Sequence, residues 1–134
     1  MLAPRFILLT GCALGFLSVA LGAFGAHAFK EFLNANNRLD TYETAVQYQM
    51  YHALALLLTG VVAMHLPKTD FSWVALCFLF GVVVFSGSLF LLCATGTRWL
   101  GAITPLGGLG FLAGWFLMAY KLWKANQGYP FRAN

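Results

Sequence analysis

The chain has 134 residues, of which 60% are hydrophobic and only 9% charged, and its mean hydropathy is +0.76. Soluble domains carry roughly a quarter charged residues, so this composition excludes a soluble enzyme, a disordered tail and a nucleic-acid-binding domain. The net charge of +4 comes with no basic run, and is read as lysine and arginine flanking membrane spans beside anionic lipid.

Four stretches lack Asp, Glu, Lys and Arg: residues 6–29, 44–67, 71–97 and 99–120, of 24, 24, 27 and 22 residues. A helix crosses a bilayer with about 20 mostly apolar residues. The expected fold class is all-α, a polytopic membrane protein forming a compact bundle of four transmembrane helices. The leftover pieces are too short for a second core, so residues 1–134 are expected to form a single transmembrane domain.

The first helix is predicted over residues 6–35. Leu9-Thr10-Gly11-Cys12 imitates a lipoprotein box and Ala26-His27-Ala28 a signal-peptidase site. The apolar run before Cys12 is shorter than a signal core of 7–15 residues, so the stretch is read as a membrane helix. Asn36 and Asn37 break it, because asparagine tolerates a left-handed turn. Asp40 with Glu43 three residues on fits a capping box, opening a second helix over 41–66 that Pro67 stops. The third covers 71–95, closed by Gly96. Residues 99–103 are expected to be irregular. Thr104-Pro105 is a hydroxyl cap followed by proline at the first helical position, and opens a fourth helix over 104–124. The polar tail from residue 125 on is expected to be loosely ordered. Cys12, Cys77 and Cys93 lie in apolar runs and are read as buried, isolated thiols.

Lysine and arginine set the orientation. Arg5, Lys68, Lys121, Lys124 and Arg132 fall on one side, and Lys30, Arg38 and Arg98 on the other. The richer side is expected to be cytoplasmic and to carry both termini, with Trp73 and Trp123 at the inner interface and Trp99 at the outer one.

Helices associate in lipid through close approach over small residues. Gly11, Gly15, Ser18, Gly22 and Ala26 make one such face on the first helix, and Thr104, Gly107, Gly110 and Gly114 another on the fourth. Internal packing is one reading of these faces; a homo-oligomer seam is the other.

Polar side chains inside a membrane each need an account. With a rise of about 1.5 Å per residue, His27, Gln47, Gln49, His52, Ser86, Ser88 and Thr104 all fall in the outer half. Glu43 and Arg98 stand at the rim. Packed together, these groups would form a polar pocket open to the outer face. His27, Gln49, His52, Ser86, Ser88 and Thr104 are its expected ligand-binding residues. Against this, the histidines also read as structural, and the serines as bonded to carbonyls one turn back. Gln47 and Gln49 point to different sides of their helix, while Tyr48 and His52 share a face and are expected to be a buried pair. No catalytic motif or metal-ligand spacing is present. No catalytic residue, metal or cofactor is therefore expected.

Four stretches carry a family resemblance: GAFGAHAF (22–29), TYETAVQYQMYHALALLLTG (41–60), FSGSLFLL (85–92) and GAITPLGGLGFLAGW (101–115). Together they resemble the small YgdD-like membrane proteins of bacteria, a family of unknown function related to eukaryotic transmembrane protein 256. That group typically has glycine where this chain has Ala28 and tyrosine where it has Phe90. The resemblance implies a small integral protein of the bacterial inner membrane. Its signatures fall on His27, Gln49, His52, Ser86, Ser88, Thr104 and Pro105, and it implies no activity.

The expected function is thus that of a non-enzymatic membrane protein whose outer polar pocket binds a lipid, a quinone or a partner helix, as an accessory to a larger membrane complex. Its expected partners are membrane lipids and a second copy or another membrane protein, with no nucleic acid. The alternative is a small oligomeric transporter or channel.

Overall fold

A computed structural model describes residues 1–128. Its elements are α1 (Pro4–Ala26), α2 (Lys30–Ala35), α3 (Leu39–His65), α4 (Ser72–Gly81), a π turn (Val82–Ser86), α5 (Gly87–Thr95), a 3-10 turn (Arg98–Ala102) and α6 (Thr104–Gly128). The architecture is all-helical, with no strand among the described residues. Residues 129–134 of the expected loose tail, Arg132 included, lie outside the described residues. Residues 125–128 of that tail continue α6.

Three expectations about helix ends are corrected. The first helix does not reach Ala35. It stops at Ala26, and the Phe29 N–H reaches back five residues to the Phe24 carbonyl. The break re-aims the chain so that α2 buries Leu33 against Tyr42 and Cys93. The capping box does not form, because α3 begins at Leu39, one residue ahead of Asp40, and Arg38 stands at its cap. The expected irregular segment after Gly96 is a 3-10 turn. Two turn residues do adopt left-handed backbone: Asn37 at φ 52° and Gly96 at φ 79°.

The four long elements run alternately up and down. Leu2 bonds Ser72, placing the start of α1 beside the start of α4. Arg38, ahead of α3, bonds the end of α5 at the opposite end of the molecule. α3 packs along α1 on one side and against α4, the π turn and α5 on the next, and these carry α6. α1 and α6 share no packed interface, so the helices follow one another rather than closing a ring. The main apolar core joins Ile7, Leu56, Phe71, Val74, Phe78 and Phe111.

Three helical stretches are long and apolar enough to cross a membrane: Pro4–Ala26, Ser72–Thr95 and Arg98–Ala125. α3 is equally long but carries Gln47, Gln49 and His52, and falls short of that apolarity.

Both small faces are used inside the chain. A Cβ added to Gly11 would meet Leu57 and the Ala53 carbonyl of α3 at about 3 Å, and one on Gly25 would strike the Tyr42 ring. On α6, Gly107 lies against the backbone of Phe85, Gly110 against Phe80 and Cys77, and Gly114 against Phe78. Of the cysteines only Cys93 is fully buried; Cys12 is exposed and Cys77 intermediate, because their positions on α1 and α4 face partly outward.

A latch closes the end that carries the N-terminus. The Leu2 N–H donates to Ser72 Oγ at 2.6 Å, and that hydroxyl donates to Asp70 Oδ1 at 2.5 Å. The Ser72 N–H donates to the same oxygen at 2.9 Å. The Ser72 hydroxyl, then its N–H, hold the Asp70 carboxyl below the usual carboxylate range, aided by the N-terminal ammonium and Lys121.

Two predictions follow from these contacts. A Cβ on Gly107 would sit 2.4 Å from the Phe85 nitrogen, whereas one on Gly15 meets nothing nearer than 4.0 Å. Gly107→Ala should therefore lower unfolding free energy in detergent by about 1–3 kcal/mol, while Gly15→Ala leaves it unchanged or slightly raised. The Asp70 latch stabilises the fold fully above the ordinary carboxylate pKa and is lost as pH falls through the lowered value. The melting temperature should hold down to about pH 4 and drop below it, and Asp70→Asn should shrink that acid-dependent drop.

Candidate functional site

His52 of α3 is buried among aromatic rings. Its imidazole stacks on Phe111 with centroids 3.4 Å apart and planes 9° from parallel, and Phe78 tilts against it at 5.6 Å. The Trp115 indole N–H donates to Nε2 at 3.4 Å, and Nδ1 lies 2.8 Å from the Tyr48 carbonyl. An indole is a donor only, so Nε2 is the accepting nitrogen and Nδ1 carries the proton given to Tyr48. Both ring nitrogens are engaged by the protein in a neutral imidazole. His52 thereby ties α3 to α6. Tyr48, expected to share its burial, is exposed and lays its ring on Phe85 at 4.6 Å.

The hydroxyls and amide pair off separately. Ser88 Oγ lies 2.8 Å from Thr104 Oγ1 and donates to the Phe85 carbonyl at 2.9 Å. Because Thr104 is turned toward Ser88, its hydroxyl ties α5 to α6. Gln49 faces α1 and donates from Nε2 to the Leu14 carbonyl at 3.1 Å, the same carbonyl that accepts from Ser18. Ser86 is fully buried and its Oγ has no partner among the described residues. It ends the π turn, where the Gly87 N–H reaches back five residues to the Val82 carbonyl.

His27 is exposed just beyond the last turn of α1, and Arg98 is exposed at the start of the 3-10 turn. The expected pocket therefore resolves into separate parts: a His52–Trp115 contact, a Ser88–Thr104 contact, a Gln49–Leu14 contact, an orphan at Ser86 and an exposed His27. Height along the helix axis brought these residues together in the sequence reading; direction around the helix separates them.

Two residues that the sequence reading treated as incidental prove central. The Arg38 guanidinium donates to the Leu92 and Cys93 carbonyls at 3.2 and 3.1 Å, capping the α5 C-terminus with positive charge where the helix dipole favours it. Tyr42 lies on Gly25 and donates its hydroxyl to the Leu21 carbonyl at 2.7 Å. The glycine at 25, one turn before the α1 break, was the available signal for a ring at that place.

Tyr42 also separates two recesses at this end of the molecule. An apolar one of about 120 Å³ is lined by Phe29, Phe32, Leu33, Phe90, Cys93 and Ala94. The other, about 200 Å³, opens between the end of α1 and the start of α3, lined by Gly22, Gly25, Ala26, Tyr42, Glu43, Val46 and Gln47. Glu43 and Gln47 are exposed there, and neither makes a side-chain hydrogen bond or ion pair among the described residues. Glu43 is thus the one rim residue of the expected site that lines an open recess among those described here.

The Ser88–Thr104 contact is testable by a double-mutant cycle. Ser88→Ala with Thr104→Val should give a coupling energy of about 0.6 kcal/mol, the usual size for an interhelical hydrogen bond in a membrane protein. Ser86→Ala, measured beside it by unfolding in detergent, should cost nothing if the hydroxyl is unbonded.

Comparison with known proteins agrees with this architecture. Residues 21–108 match the family described as "Protein of unknown function (DUF423)". The chain is 40% identical over 120 residues to a UPF0382 membrane protein of Staphylococcus haemolyticus, covering 90% of this chain and 97% of that one. It is 41% identical over 120 residues to a UPF0382 membrane protein of Staphylococcus saprophyticus, covering 90% and 98%. It is also 38% identical over 117 residues to the UPF0382 inner membrane protein YgdD of Escherichia coli (strain K12), covering 87% and 88%. No solved structure matches the chain. An all-helical chain with three strongly apolar helices, similar over nearly its whole length to these membrane proteins, belongs to the DUF423 family.

Proposed function

We propose that the protein is a non-enzymatic, four-span component of the bacterial inner membrane that holds the polar part of a membrane lipid in the recess between α1 and α3. The observation that carries this reading is the pair Glu43 and Gln47, polar side chains on an open recess with no protein partner. A polar group within reach of hydrocarbon is costly unless something pairs with it. Among the other candidate polar groups, Gln49, His52, Ser88 and Thr104 already have protein partners.

The four-span count follows from connection. α1 and α4–α5 run the same way, so the chain between them must return across the same thickness. α3 is that return; it packs along α1, and its 27 residues give about 40 Å of helix. Gln49 and His52 are tolerable in such a span because each is hydrogen-bonded inside the protein. Arg5, Lys68, Lys121 and Lys124 lie toward one end and Lys30, Arg38 and Arg98 toward the other, which favours cytoplasmic termini. Trp73, Trp123 and Trp99 are all exposed, as interfacial anchors are.

The transporter reading loses support at the cytoplasmic half, where Ile7, Leu56, Phe71, Val74 and Phe78 form a packed apolar plug. Quinone or haem binding at His52 loses support because both its nitrogens are occupied. In the recess reading the protein has no reaction to catalyse, and the lipid, with a second membrane protein alongside it, is its partner.

Two measurements test the proposal. In a cysteine-free background, Arg98→Cys should react with a membrane-impermeant maleimide from outside intact spheroplasts, and Thr69→Cys only after lysis; the reverse pattern inverts the assignment. Native mass spectrometry of purified protein should show retained phospholipid, reduced at least several-fold by Gly22→Leu, which fills the recess. Retention unchanged by that substitution in a folded protein would overturn the site.

A further inference from the structure

We infer that the recess between α1 and α3 selects phospholipids whose headgroup ends in a primary ammonium, with Glu43 and Gln47 as the recognising pair. This inference rests on the lipid reading above. Glu43 is the one acidic side chain on the lining; the others are Gly22, Gly25, Ala26, Tyr42, Val46 and Gln47. With no cation on the lining, a net anionic headgroup meets only like charge, and Glu43 calls for a cation.

The acceptors are arranged for a group with several N–H donors. Glu43 and Gln47 stand four residues apart, so their side chains lie one above the other on the same face of α3. A carboxylate and an amide carbonyl therefore offer acceptors side by side, and the Tyr42 oxygen, already donating to Leu21, can accept a further hydrogen bond. An ammonium carries three donors and matches this set. A trimethylammonium carries none and is recognised by cages of several aromatic rings, whereas this lining has one ring. Space is made by Gly22, whose added Cβ would meet only Val46, at 3.4 Å. The volume of about 200 Å³ equals that of roughly six or seven waters, enough for a short amine and part of its phosphate.

The same face of α3 identifies the amine as part of a lipid rather than a free solute. Below Gln47 the stripe continues through Tyr51, Leu54, Leu58 and Val61, all exposed. Read along the helix, the face changes from carboxylate to amide to phenol to pure hydrocarbon. That is the polarity profile of a phospholipid laid along the groove with its acyl chains toward the membrane centre.

The test uses the full-length protein in detergent, challenged with equimolar phosphatidylethanolamine, phosphatidylcholine and phosphatidylglycerol of identical acyl chains and read by native mass spectrometry. The ethanolamine lipid should be retained about fivefold over the glycerol lipid, the ratio one ion pair of about 1 kcal/mol gives, and about fivefold over the choline lipid, whose cation has no N–H donor, the ratio one net hydrogen bond of about 1 kcal/mol gives. Glu43→Gln should erase the preference while leaving the melting temperature unchanged, because Glu43 is exposed and makes no contact that folding uses. Gln47→Leu should weaken retention of the ethanolamine lipid. Glycerophosphoethanolamine, which has the headgroup without acyl chains, should not displace the lipid at equal concentration; displacement would overturn the lipid assignment in favour of a free amine. Equal retention of the choline lipid, or preference for the glycerol lipid, abolished by Gly22→Leu, would overturn the headgroup inference and leave the lipid site standing. Retention indifferent to both Gly22→Leu and Gln47→Leu would overturn the site and the inference together.

Discussion

Hydrogen bonding without water is the constraint on which this molecule is built. A bilayer core offers no solvent partner, so each polar side chain must find one on the protein or carry an unpaired group in hydrocarbon. The chain meets the demand mostly through backbone carbonyls. Gln49 and Ser18 converge on Leu14, Tyr42 reaches Leu21, Thr59 reaches Ala55, and Arg38 takes two carbonyls at the end of α5. The bonds from Gln49, Tyr42 and Arg38 cross from one helix or loop to another, so satisfying the polar groups also fixes which helices are neighbours. The His52–Trp115 contact does the same between α3 and α6, which have little backbone contact of their own. The polar residues of α3 explain how a helix of modest apolarity sits between strongly apolar ones.

Glycine and aromatic residues supply the complementary part of the packing. Along α1, α4 and α6 the glycines do not simply bring two backbones together. Gly25 receives the Tyr42 ring, Gly81 receives Phe111 and Gly114 receives Phe78. At Gly107, against the Phe85 backbone, and at Gly11, Gly60, Gly81 and Gly110 the neighbouring main chain itself also comes close. A ring on a glycine fills the groove with a rigid group, so dispersion contacts replace the hydrophobic drive that lipid removes. It also places Phe111 where it stacks on His52 and Phe78 where it tilts against that ring. The glycine pattern and the buried histidine are thus one arrangement seen from two sides.

Much of the architecture was legible in the sequence because its signals are local. Uncharged runs mark the membrane helices, Asn37 and Gly96 mark left-handed turns, and Pro67 marks an end. The π turn at Val82–Ser86 carried no such mark, since no proline or unusual residue sits within it; it lies where Phe85 packs on the glycine face of α6 at Gly107. The capping box at Asp40 and Glu43 was a local signal that does not form; the helix starts one residue ahead of Asp40, beside Arg38, which is held by the α5 carbonyls. For the candidate site the sequence located heights well and azimuths poorly. His52, Ser88 and Thr104 share a level with Glu43 and Gln47 to within a few turns, but they face the interior, against partners distant in sequence: Phe111 and Trp115 for His52, and Ser88 and Thr104 for one another.

Interior and rim therefore obey one rule with opposite outcomes. Inside, a polar group left without a partner is exceptional, and Ser86, at the end of the π turn, stands out among the described residues. At the rim, Glu43 and Gln47 are left without protein partners while Gly22 and Gly25 hold space open beside them. A larger residue at position 22 would close that space with little strain in the nearby helix, since only Val46 stands in ordinary contact. In the lipid reading proposed above, the exposed Glu43 carboxylate, beside the space that Gly22 and Gly25 make, is met by a partner from outside the chain. At that depth in a membrane, the plentiful molecules offering positive charge at one end and hydrocarbon at the other are lipids.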